Sequence, residues 1–443
     1  MDISVIIPTY NRSHLLPSVL RAWHAVNEST RCSYEIIFSD DGSSDDTLKI
    51  LGAEKKLPIR IITNLHGGAS AARNNAIRHA KGTRVVFAGD DIFPADDFVQ
   101  KHHDLGHVYG DNVDVLGLVS WHPLQKQRFI HTHITEIGNE QFRFNRLVQG
   151  KSVDFRHFYT CNVSVSQKAL CSLEELFSEA FEKVNFEDSE LSYRLCLNGN
   201  KIVYREDVSA YHFHEYDVAM FCDRQRTAGE MAVVFQDLHP EMDALLGIRK
   251  ICRGFAKHNR IITSYSAHAP GRTIARVLVG CEELEDELEN EPEENYGKSV
   301  RRFLSLIYSR LFQLKYTEGV LKKKFPDDLD AIENYLLKRF FDGAFKSRLK
   351  NEFHYYGLSG KSDLIPGFLL VSNKRRKNQF YDTVVEKVLR DMFGDMGRFE
   401  GNIKVLLPML KINALKYTQN RSSFRRWASY YRIARMKIQR LVR

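Results

Sequence analysis

Short apolar runs and helical spacings alternate along the first 90 residues of the chain. Four apolar runs have the length of buried strands: residues 3–7, 34–38, 59–62 and 84–88. Segments with helical spacing separate them: residues from 13 onward, 44–51 and 69–80. Strands that are apolar throughout and alternate with helices are typical of a parallel sheet with helices on both faces. The pattern therefore predicts an α/β fold with right-handed crossovers.

The later part of the chain is predicted to add three strands and then only helices. The strands are residues 113–119, 158–165 and 201–204, and the helical spacings are residues 219–245, 248–279, 300–314, 328–341 and 381–393. Residues 282–294 hold nine acidic side chains, which predicts a solvated helix face or a linker. We therefore expect an α/β domain over residues 1–240, a helical extension with an acidic linker over 241–294, and a helical domain over 295–443.

The fourth predicted strand ends in two adjacent carboxylates, Asp90 and Asp91. Two interpretations are open. Neighbouring carboxylates at a strand end are oxygen ligands for Mg²⁺ or Mn²⁺, and such an ion would have a phosphate as its other partner. Alternatively, both residues form a turn and cap a helix that begins near Pro94.

Polar turns also follow two other strands, at residues 8–11 and 40–43. In a parallel sheet these turns and the one at Asp90 and Asp91 all lie at the carboxyl edge, where open α/β sheets bind nucleotides. This clustering favours a ligand site over a lone helix cap. The first strand is not followed by G-x-G-x-x-G, and no G-x-x-x-x-G-K-[ST] loop is present, so phosphates need another partner. A metal ion at Asp91 and the cation of Arg73 are the candidates.

A second acidic pair, Glu187 and Asp188, opens a short predicted helix that ends before Gly199. Carboxylates at a helix N-terminus accept hydrogen bonds from free backbone N–H groups and complement the helix dipole, which is a purely structural explanation. A carboxylate in a ligand cleft can instead act as a general base. Both explanations are open on the pattern alone.

Four ordered segments carry a resemblance to a known family. They are Val5-Ile6-Ile7-Pro8-Thr9-Tyr10-Asn11-Arg12, Asp40-Asp41-Gly42-Ser43-Ser44-Asp45, Ala71-Ala72-Arg73-Asn74-Asn75-Ala76 and Phe87-Ala88-Gly89-Asp90-Asp91. With the later Glu187-Asp188 pair, they resemble the family 2 glycosyltransferases with the GT-A fold, over residues 1–240. The resemblance implies transfer of a sugar from a nucleotide diphosphate donor, usually UDP-linked, to an acceptor hydroxyl with inversion at the anomeric carbon.

The resemblance also implies the donor side of the site. The residues implied in donor binding are Pro8, Thr9, Tyr10, Asn11, Asp40, Arg73 and Asp90. The first three would lie against the base, Asp40 would read the edge of the base, and Arg73 would lie near the diphosphate. One departure concerns the family's D-x-D motif. Aligned on Pro94, the first acid of that motif falls at Gly89, so Asp90 must make its contact or the contact is missing.

The same resemblance implies the metal ligands and the catalytic groups. Asp91 would be the metal ligand of the D-x-D motif, and His212, which fits the motif better than His214, would complete the site for Mg²⁺ or Mn²⁺. Asp188 would be the general base for the acceptor hydroxyl, and Glu187 would hold the acceptor or the local geometry. The divalent ion would neutralise the charge that develops on the leaving nucleoside diphosphate.

Histidines are frequent in the middle of the chain. Residues 122–157 contain His122, His131, His133 and His157. None of their spacings gives a helical H-x-x-x-H pair with a third acidic ligand, which disfavours a dedicated zinc site. We instead expect residues 122–157 to form a mobile flap over the acceptor.

The formal net charge of +8 is concentrated at the carboxyl end, because residues 401–443 hold eleven Lys or Arg and no acid. Apolar and aromatic residues recur there at three- and four-residue steps: Phe424, Trp427, Tyr431, Ala434, Ile438 and Leu441. Such a helix either meets an anionic membrane surface through residues 421–443 or docks on its own chain, and the pattern fits both. Nucleic acid is a less favoured partner, because no recognition motif accompanies the charge.

Seven scattered cysteines without a C-x-x-C spacing argue against a disulfide framework and for a reducing compartment. The chain shows neither a leader pattern nor an apolar run of about 20 residues. We expect a cytoplasmic protein, peripheral at the inner face of the membrane, that acts on a surface glycan or a lipid-linked saccharide. Two other classes stay open: an inactive GT-A module that serves as a scaffold or partner-binding subunit, and a sugar nucleotidyltransferase, which the missing glycine-rich phosphate loop disfavours.

Overall fold

The computed structural model describes residues 1–259, 277–279, 281–282, 284–286, 288–289 and 294–340. All of them belong to the first of the two units into which the chain divides, Met1–Leu370. The predicted helix at 381–393 and the basic segment 421–443 lie outside the described residues. None of the helices in the described ranges has an apolar stretch long enough to cross a bilayer.

A single mixed sheet forms the amino-terminal half. Its strands are β1 (Ile3–Thr9), β2 (Tyr34–Asp40), β3 (Ile59–Thr63), β4 (Arg84–Ala88), β5 (Ile92–Pro94), β6 (Val113–Trp121), β7 (Ser152–Val153), β8 (Asn162–Ser166) and β9 (Lys201–His212). Their order is β3-β2-β1-β4-β8-β6-β9-β5, with β7 paired to β9. Pairing is parallel from β3 to β4 and between β6 and β9, whereas β5, β7 and β8 run antiparallel to their neighbours. The predicted α/β fold with a mostly parallel sheet is confirmed.

Helices cover the sheet and then continue alone. They are α1 (Leu16–Ser29), α2 (Thr47–Ala53), α3 (Gly68–His79), α4 (Phe98–Tyr109), α5 (Phe129–Thr132), α6 (Gln167–Cys171), α7 (Glu187–Leu197), α8 (Val218–Leu238), α9 (Asp243–Leu246), α10 (Ile248–Asn259), α11 (Glu294–Lys324) and α12 (Leu329–Phe340). A π-helical turn, His133–Ile137, follows α5 directly. After β9, the described residues form helices and no further strand, as the spacing predicted.

Burial on both faces explains why the strands read as unbroken apolar runs. All five residues of β4 are buried, and so are six of the seven residues of β1. Helix α1 presents Leu16, Leu20 and Trp23 at three- and four-residue steps, and all three join the same apolar core as the strands. The strand ends, and therefore the loops that follow them, are held in place by this core.

Residues Ile92–Pro94 form a strand instead of a helix start. They pair antiparallel with β9, where Ile92 lies opposite His212, and α4 begins only at Phe98. The alternative of a helix that begins near Pro94 is therefore wrong. Because Asp91 directly precedes β5, this pairing brings its carboxylate to the end of β9.

Three other helix or strand limits differ from those that the spacing of apolar residues predicted. Helix α8 ends at Leu238, not at residue 245, because His239 is extended (φ −134°, ψ 82°) ahead of Pro240. Strand β8 begins only at Asn162, since residues 160–161 form a turn in which the amide of Asn162 donates to the carbonyl of Tyr159 at 3.0 Å. Strand β9 continues to residue 212, and a shift in its register with β6 accommodates the extra length.

Helix α11 crosses α8 at two glycines, Gly229 of α8 and Gly319 of α11. A Cβ atom at Gly229 would overlap the carbonyl oxygen of Tyr316, and one at Gly319 would overlap that of Arg226. Glycine therefore lets the two helix backbones come into direct contact. The helical part is packed onto α8 at this crossing.

The acidic stretch before α11 is partly buried. Leu284, Glu285 and Leu288 are all buried. Arg128 forms ion pairs with Glu282 at 2.8 Å and Glu285 at 2.9 Å. The described acids of this stretch thus have a basic partner on the loop after β6, and the expectation of a solvated helix face or a linker stays a prediction. The predicted domain limits at residues 240 and 294 stay a prediction.

Candidate active site

The loops after β1, β2 and β4 meet at the carboxyl edge of the sheet, where Thr9 lies opposite Asp40. A cleft of about 940 Å³ opens over this edge. The predicted residues that line it are Pro8, Thr9, Tyr10, Arg73, Asp90, Asp91, Glu187, Asp188 and His212. Residues that are distant in the sequence therefore share one cavity.

Three side chains in the cleft form a group that can hold a divalent ion: Asp91, His212 and His214. Their ligand atoms all lie within 4.8 Å of one another. Nε2 of His212 is 3.2 Å and Nδ1 of His214 is 3.4 Å from Oδ2 of Asp91. The amide of Phe213 donates to the carbonyl of Asp91, so the backbone holds both histidines beside the acidic turn.

The charge state of this group suits a cation. Burial alone would raise the pKa of Asp91, but His212 and His214 hold that pKa well below its usual range. Asp91 is therefore an ionised carboxylate beside two imidazoles. One carboxylate and two imidazoles are a donor set for a transition-metal ion such as Mn²⁺ more than for Mg²⁺, which prefers oxygen.

Asp90 does not belong to this group of ligands. Its carboxylate is only 8% exposed, and Oδ1 lies 3.2 Å from Nε of Arg12. Burial and the adjacent charge of Asp91 raise the pKa of Asp90, and the Arg12 guanidinium opposes that rise. Arg12 also reaches to 4.0 Å from Asp91. One guanidinium thus offsets part of the repulsion between the two carboxylates.

Gly89 stands where many relatives of the resembled family have the first acid of D-x-D. A Cβ atom at Gly89 would lie 2.8 Å from Oδ1 of Asp91 and 3.2 Å from Cγ1 of Ile92. The carboxylate of Asp91 therefore turns back over the backbone of residue 89. A side chain at this position would displace it.

Two predicted donor residues, Asn11 and Asp40, hold loops and do not line the cleft. Asn11 has a φ of 51°, and its Oδ1 accepts from the amide of Ser44 at 2.8 Å. Oδ2 of Asp40 accepts from the amides of Gly42 and Ser43 at 3.2 and 3.1 Å. Oδ1 of Asp40 is buried and has no hydrogen-bond partner within the described ranges. Asp40 thus keeps one acceptor free at the base of the loop.

One end of the cleft carries two neighbouring rings, those of Tyr10 and His66. Tyr10 is 45% exposed, and its ring centre lies 4.6 Å from that of His66. Asp41 holds the loop before α3 by accepting from the amides of Gly67 and Gly68, at 2.9 Å each. The two rings form a surface that can contact a flat nucleotide base.

Arg73 and Glu187 form a buried ion pair between α3 and α7. Nη1 of Arg73 lies 3.1 Å from Oε1 of Glu187. Oε2 of Glu187 accepts from the amide of Asn185 at 2.7 Å. Both oxygens of Glu187 therefore have partners inside the protein, which fits the predicted role in holding the local geometry.

Asp188 follows a backbone segment that few residue types adopt. Asn185 has a φ of 147° and Phe186 a φ of 68°. Such conformations cost about 1–3 kcal/mol each in non-glycine residues, and surrounding packing has to hold them. The ring of Phe186 lies 6.0 Å from that of Phe235 on α8. Helix α8 thus supports the turn that presents Asp188.

The pKa of Asp188 is raised to about 7, first by burial and then by the charge of Glu187. Its Oδ1 accepts from the amide of Ser189 at 2.6 Å. A carboxylate whose pKa lies close to neutral pH is a stronger base than an exposed aspartate. It is therefore suited to taking a proton in catalysis.

The predicted histidine group divides between the core and the cleft. His131 lies 3.3 Å from the carbonyl of His214, and the ring of His133 lies 5.3 Å from that of Tyr308 on α11. Burial lowers the pKa of His133 to about 4, so this histidine is neutral. His157 lines the cleft together with residues 140–143. The expected mobility of this segment stays a prediction.

Some site residues were not predicted. His214 follows His212 by two positions, and alternate residues of an extended chain share a face, so the H-x-H spacing carried the signal. Arg12 directly follows the first polar turn, which was a weaker signal. Arg224 of α8 and Tyr316 of α11 also line the cleft. No local pattern in the sequence could have placed these two residues there.

The sheet is mostly parallel, an acid and histidine group lies at its carboxyl edge, and a further carboxylate lines the same cleft. Together these features define a GT-A glycosyltransferase domain. The comparison with known families shows which glycosyltransferase family the chain matches. Residues 4–169 match the profile of Glycosyl transferase family 2.

Several known proteins are similar to this chain. The chondroitin synthase of Escherichia coli is 30% identical over 239 residues, which cover 47% of this chain and 34% of that protein. A validoxylamine A glucosyltransferase of Streptomyces hygroscopicus subsp. limoneus is 25% identical over 76% of this chain and 80% of that protein. TarS 1–349 of S. aureus, solved in complex with UDP, has a TM-score of 0.40 and 17% identity, covering 80% of this chain and 92% of that one. The chain thus matches only a third of the length of the chondroitin synthase.

Proposed function

We propose that the chain is an inverting glycosyltransferase that moves a sugar from a nucleotide diphosphate donor, UDP-linked, to an acceptor hydroxyl. One observation carries the proposal: the ligand group Asp91, His212 and His214 and the raised-pKa carboxylate of Asp188 line the same cleft. The family of residues 4–169 supports it, as do relatives whose names describe a synthase of chondroitin and a glucosyltransferase.

The donor lies over the loops of the first half. Its base contacts the Tyr10 and His66 rings and Pro8, whereas Asp40 does not line the cleft and its free Oδ1 is buried, so the expected contact of Asp40 with the base edge is not part of the proposal. Arg73 places a cation beside the cleft, although Glu187 already balances most of its charge. The diphosphate therefore needs more positive charge than Arg73 supplies.

Asp91, His212 and His214 are the residues that would hold a divalent ion, Mn²⁺ in preference to Mg²⁺ because of the two imidazoles. Such an ion supplies Lewis-acid stabilisation of the charge on the leaving diphosphate. The chain's own part is to present an ionised carboxylate and two fixed rings at one point. Asp90 is turned to Arg12 and takes no part in this group.

Asp188 takes the proton of the acceptor hydroxyl while the hydroxyl oxygen bonds to the anomeric carbon. The bond from that carbon to the diphosphate oxygen breaks on the opposite side, and the nucleoside diphosphate leaves with the electron pair. Attack opposite to the leaving group inverts the anomeric configuration. Glu187 positions this base through its contacts with Arg73 and Asn185.

The test is release of nucleoside diphosphate from a panel of nucleotide sugars, with and without Mn²⁺, for the wild type and for Asp188→Asn. We expect the wild type to hydrolyse or transfer one donor only with Mn²⁺. Loss of the base should lower the rate by about 10²–10⁴-fold and leave donor binding nearly unchanged. An Asp188→Asn protein of normal activity would remove Asp188 from the role of base.

A second candidate is an inactive GT-A module that binds a partner. Two observations favour it: Gly89 replaces an acid of the metal motif, and Arg12 already pairs with Asp90. A folded protein that neither binds UDP with Mn²⁺ nor releases UDP from any donor would support this candidate. Pyrophosphate release from a nucleoside triphosphate and a sugar phosphate would instead indicate a nucleotidyltransferase.

The acceptor is proposed to be a surface glycan or a lipid-linked saccharide, reached from the cytoplasmic face of the membrane. The basic segment 421–443, which lies outside the described residues, is the part of the chain that would meet anionic lipid headgroups.

A further inference from the structure

Three arginines carry the positive charge of one region of the cleft, because burial lowers the pKa of the histidine beside them. The four side chains are Arg143, Arg156, His157 and Arg224. We call them the cationic patch. None of the four belongs to the ligand group of Asp91, His212 and His214. Arg143 and Arg156 are exposed, and the other two are half-buried, so all four can reach a ligand in the cleft.

Ring contacts place the patch away from the ligand group. The ring of His212 lies 5.6 Å from Phe142, which lies 5.4 Å from Tyr159, which in turn lies 5.9 Å from His157. The amide of Arg143 donates to the Tyr159 hydroxyl at 3.2 Å. The rings of Phe142 and Tyr159 therefore lie between His212 and His157 along this run of contacts.

The patch lies instead beside the proposed base. The short turn that carries Arg156 and His157 packs on α7 through Phe155, whose ring lies 5.3 Å from that of Tyr193. Helix α7 begins with the acidic pair that contains Asp188. Arg224 of α8 lies close enough to influence the charge of Asp188. The patch is therefore on the side from which the acceptor hydroxyl must arrive.

The carboxylates near the patch do not balance its charge. Arg156 and His157 share a single acid, Asp154, at 2.6 and 3.4 Å. Arg143 and Arg224 form no ion pair with any described residue, and Nε of Arg143 donates to a backbone carbonyl. Guanidinium groups without an acidic partner, such as those of Arg143 and Arg224, are typical of sites that bind carboxylate or phosphate groups.

Two further acids face this region, Glu140 and Asp188. Burial raises the pKa of Glu140 to about 7, and that of Asp188 is raised to a similar value. Each therefore carries less than a full negative charge near neutral pH. When the partial charges of Glu140 and Asp188 are counted, the patch still carries more positive than negative charge.

We propose that the acceptor is an anionic saccharide, whose carboxylate or phosphate group is bound by the cationic patch while its hydroxyl faces Asp188. The proposal deepens the function proposed above and rests on it. The donor diphosphate is a weaker candidate for the patch, because no patch residue belongs to the ligand group and the rings of Phe142 and Tyr159 lie between His212 and His157. An anion on the acceptor would orient the attacking hydroxyl through bidentate contacts.

The experiment measures binding of three tetrasaccharide-sized probes to the protein saturated with UDP and Mn²⁺. One probe contains glucuronate, the second is the same saccharide with its carboxylates reduced to alcohols, and the third is a polyol-phosphate oligomer. We expect at least one anionic probe to bind about 10-fold or more tightly than the reduced probe, and to weaken as salt is added. The first and third probes distinguish a carboxylate from a phosphate as the recognised group.

The variant for this experiment is Arg143→Gln combined with Arg224→Gln, and the matched control is Arg146→Gln. Arg146 is exposed in the same segment and does not line the cleft. We expect the double variant to bind the anionic probe about 10-fold more weakly with unchanged UDP affinity, and the control to behave as the wild type.

Three results would overturn the proposal. The reduced probe could bind as well as the anionic ones, no anionic probe could bind at all, or the double variant could lose UDP affinity, which would assign the patch to the donor. If UDP binding and donor hydrolysis with Mn²⁺ persist in these cases, only the acceptor proposal fails. If they are absent from the wild type, the proposed function fails with it.

Discussion

Asp188 must lose its proton to act as a base, yet its surroundings favour the protonated form. Burial and the neighbouring Glu187 both raise its pKa, to about 7. The pH dependence of catalysis therefore tests the role of this residue.

We predict that kcat rises with pH up to about 7 and then levels off, because only ionised Asp188 accepts the hydroxyl proton. Glu187→Gln should shift this limb to lower pH. It removes the negative charge that raises the pKa of Asp188, and it frees the charge of Arg73, which lowers that pKa. Rates measured at saturating donor from about pH 5 to about pH 9 give the position of the limb.

The control for this prediction is Glu206→Gln, which changes an exposed glutamate on β9 in the same way. Its pH profile should match that of the wild type. If the rise of kcat with pH occurs at the same pH in Glu187→Gln as in the wild type, Glu187 does not raise the pKa of the group that titrates.

Gly89 gives a second prediction at the scale of one residue. Gly89→Ala places a methyl group 2.8 Å from Oδ1 of Asp91, so the carboxylate must move away from the histidines. We expect Mn²⁺-dependent UDP binding to weaken about 10-fold or more, measured by calorimetry. Gly52→Ala is the matched control, because a Cβ atom there meets nothing within 4 Å. Equal affinities in the two variants would contradict the described position of Asp91.

A residue could be assigned to the site from the sequence only where a nearby strand end or motif marked it. Asp91 and His212 could be predicted because the strand end and the motif positions identified them. His214 shared their face by simple alternation and could have been included. The partner of Asp90 could not be predicted, because Arg12 reaches it from another loop across the sheet edge.

At the scale of elements, the crossing of α8 and α11 connects the helical part to the active site. Helix α8 supplies Arg224, and α11 supplies Tyr316, to the wall of the cleft. The crossing depends on Gly229 and Gly319, where each backbone meets the other helix without a side chain between them.

We predict that Gly229→Ala and Gly319→Ala each destabilise the protein. The added methyl group overlaps a backbone carbonyl that cannot rotate away, and overpacking of this kind costs about 1–3 kcal/mol. Thermal unfolding should show a lower Tm for both variants, whereas Gly52→Ala should unfold at the wild-type temperature or slightly above it. Wild-type Tm values in both crossing variants would mean that the helices do not approach as described.

Long apolar strands and helices were predictable because burial on both faces leaves an unbroken apolar run. Short β5 was not, because its three residues form a strand only through pairing with β9, far along the chain. The end of α8 carried a local signal in Pro240 that the helical spacing alone overlooked.

At the scale of the whole molecule, charge links distant parts of the chain. Arg128, on the loop after β6, pairs with Glu282 and Glu285 of a stretch whose composition alone predicted a solvated helix face or a linker. Composition could not predict this, because the basic partner lies more than a hundred residues earlier in the sequence.

The largest charge asymmetry is the basic carboxyl end, where residues 421–443 contain eight Lys or Arg and no acid. We predict that deletion of 421–443 lowers binding to anionic phospholipid vesicles and that the difference shrinks as salt is added. Vesicle co-sedimentation of the full chain and the truncated chain measures it, with neutral vesicles as the control. Equal binding by both chains would favour docking of this segment on the protein itself.

The central claim is that Asp91, His212 and His214 hold the ion that faces the donor diphosphate. The most direct measurement is anomalous diffraction at the manganese edge from crystals of the full chain grown with Mn²⁺ and UDP. The account predicts one manganese peak within coordination distance of all three side chains, with the diphosphate as its other ligand. A peak elsewhere in the cleft, or UDP bound with no manganese at these residues, would contradict it.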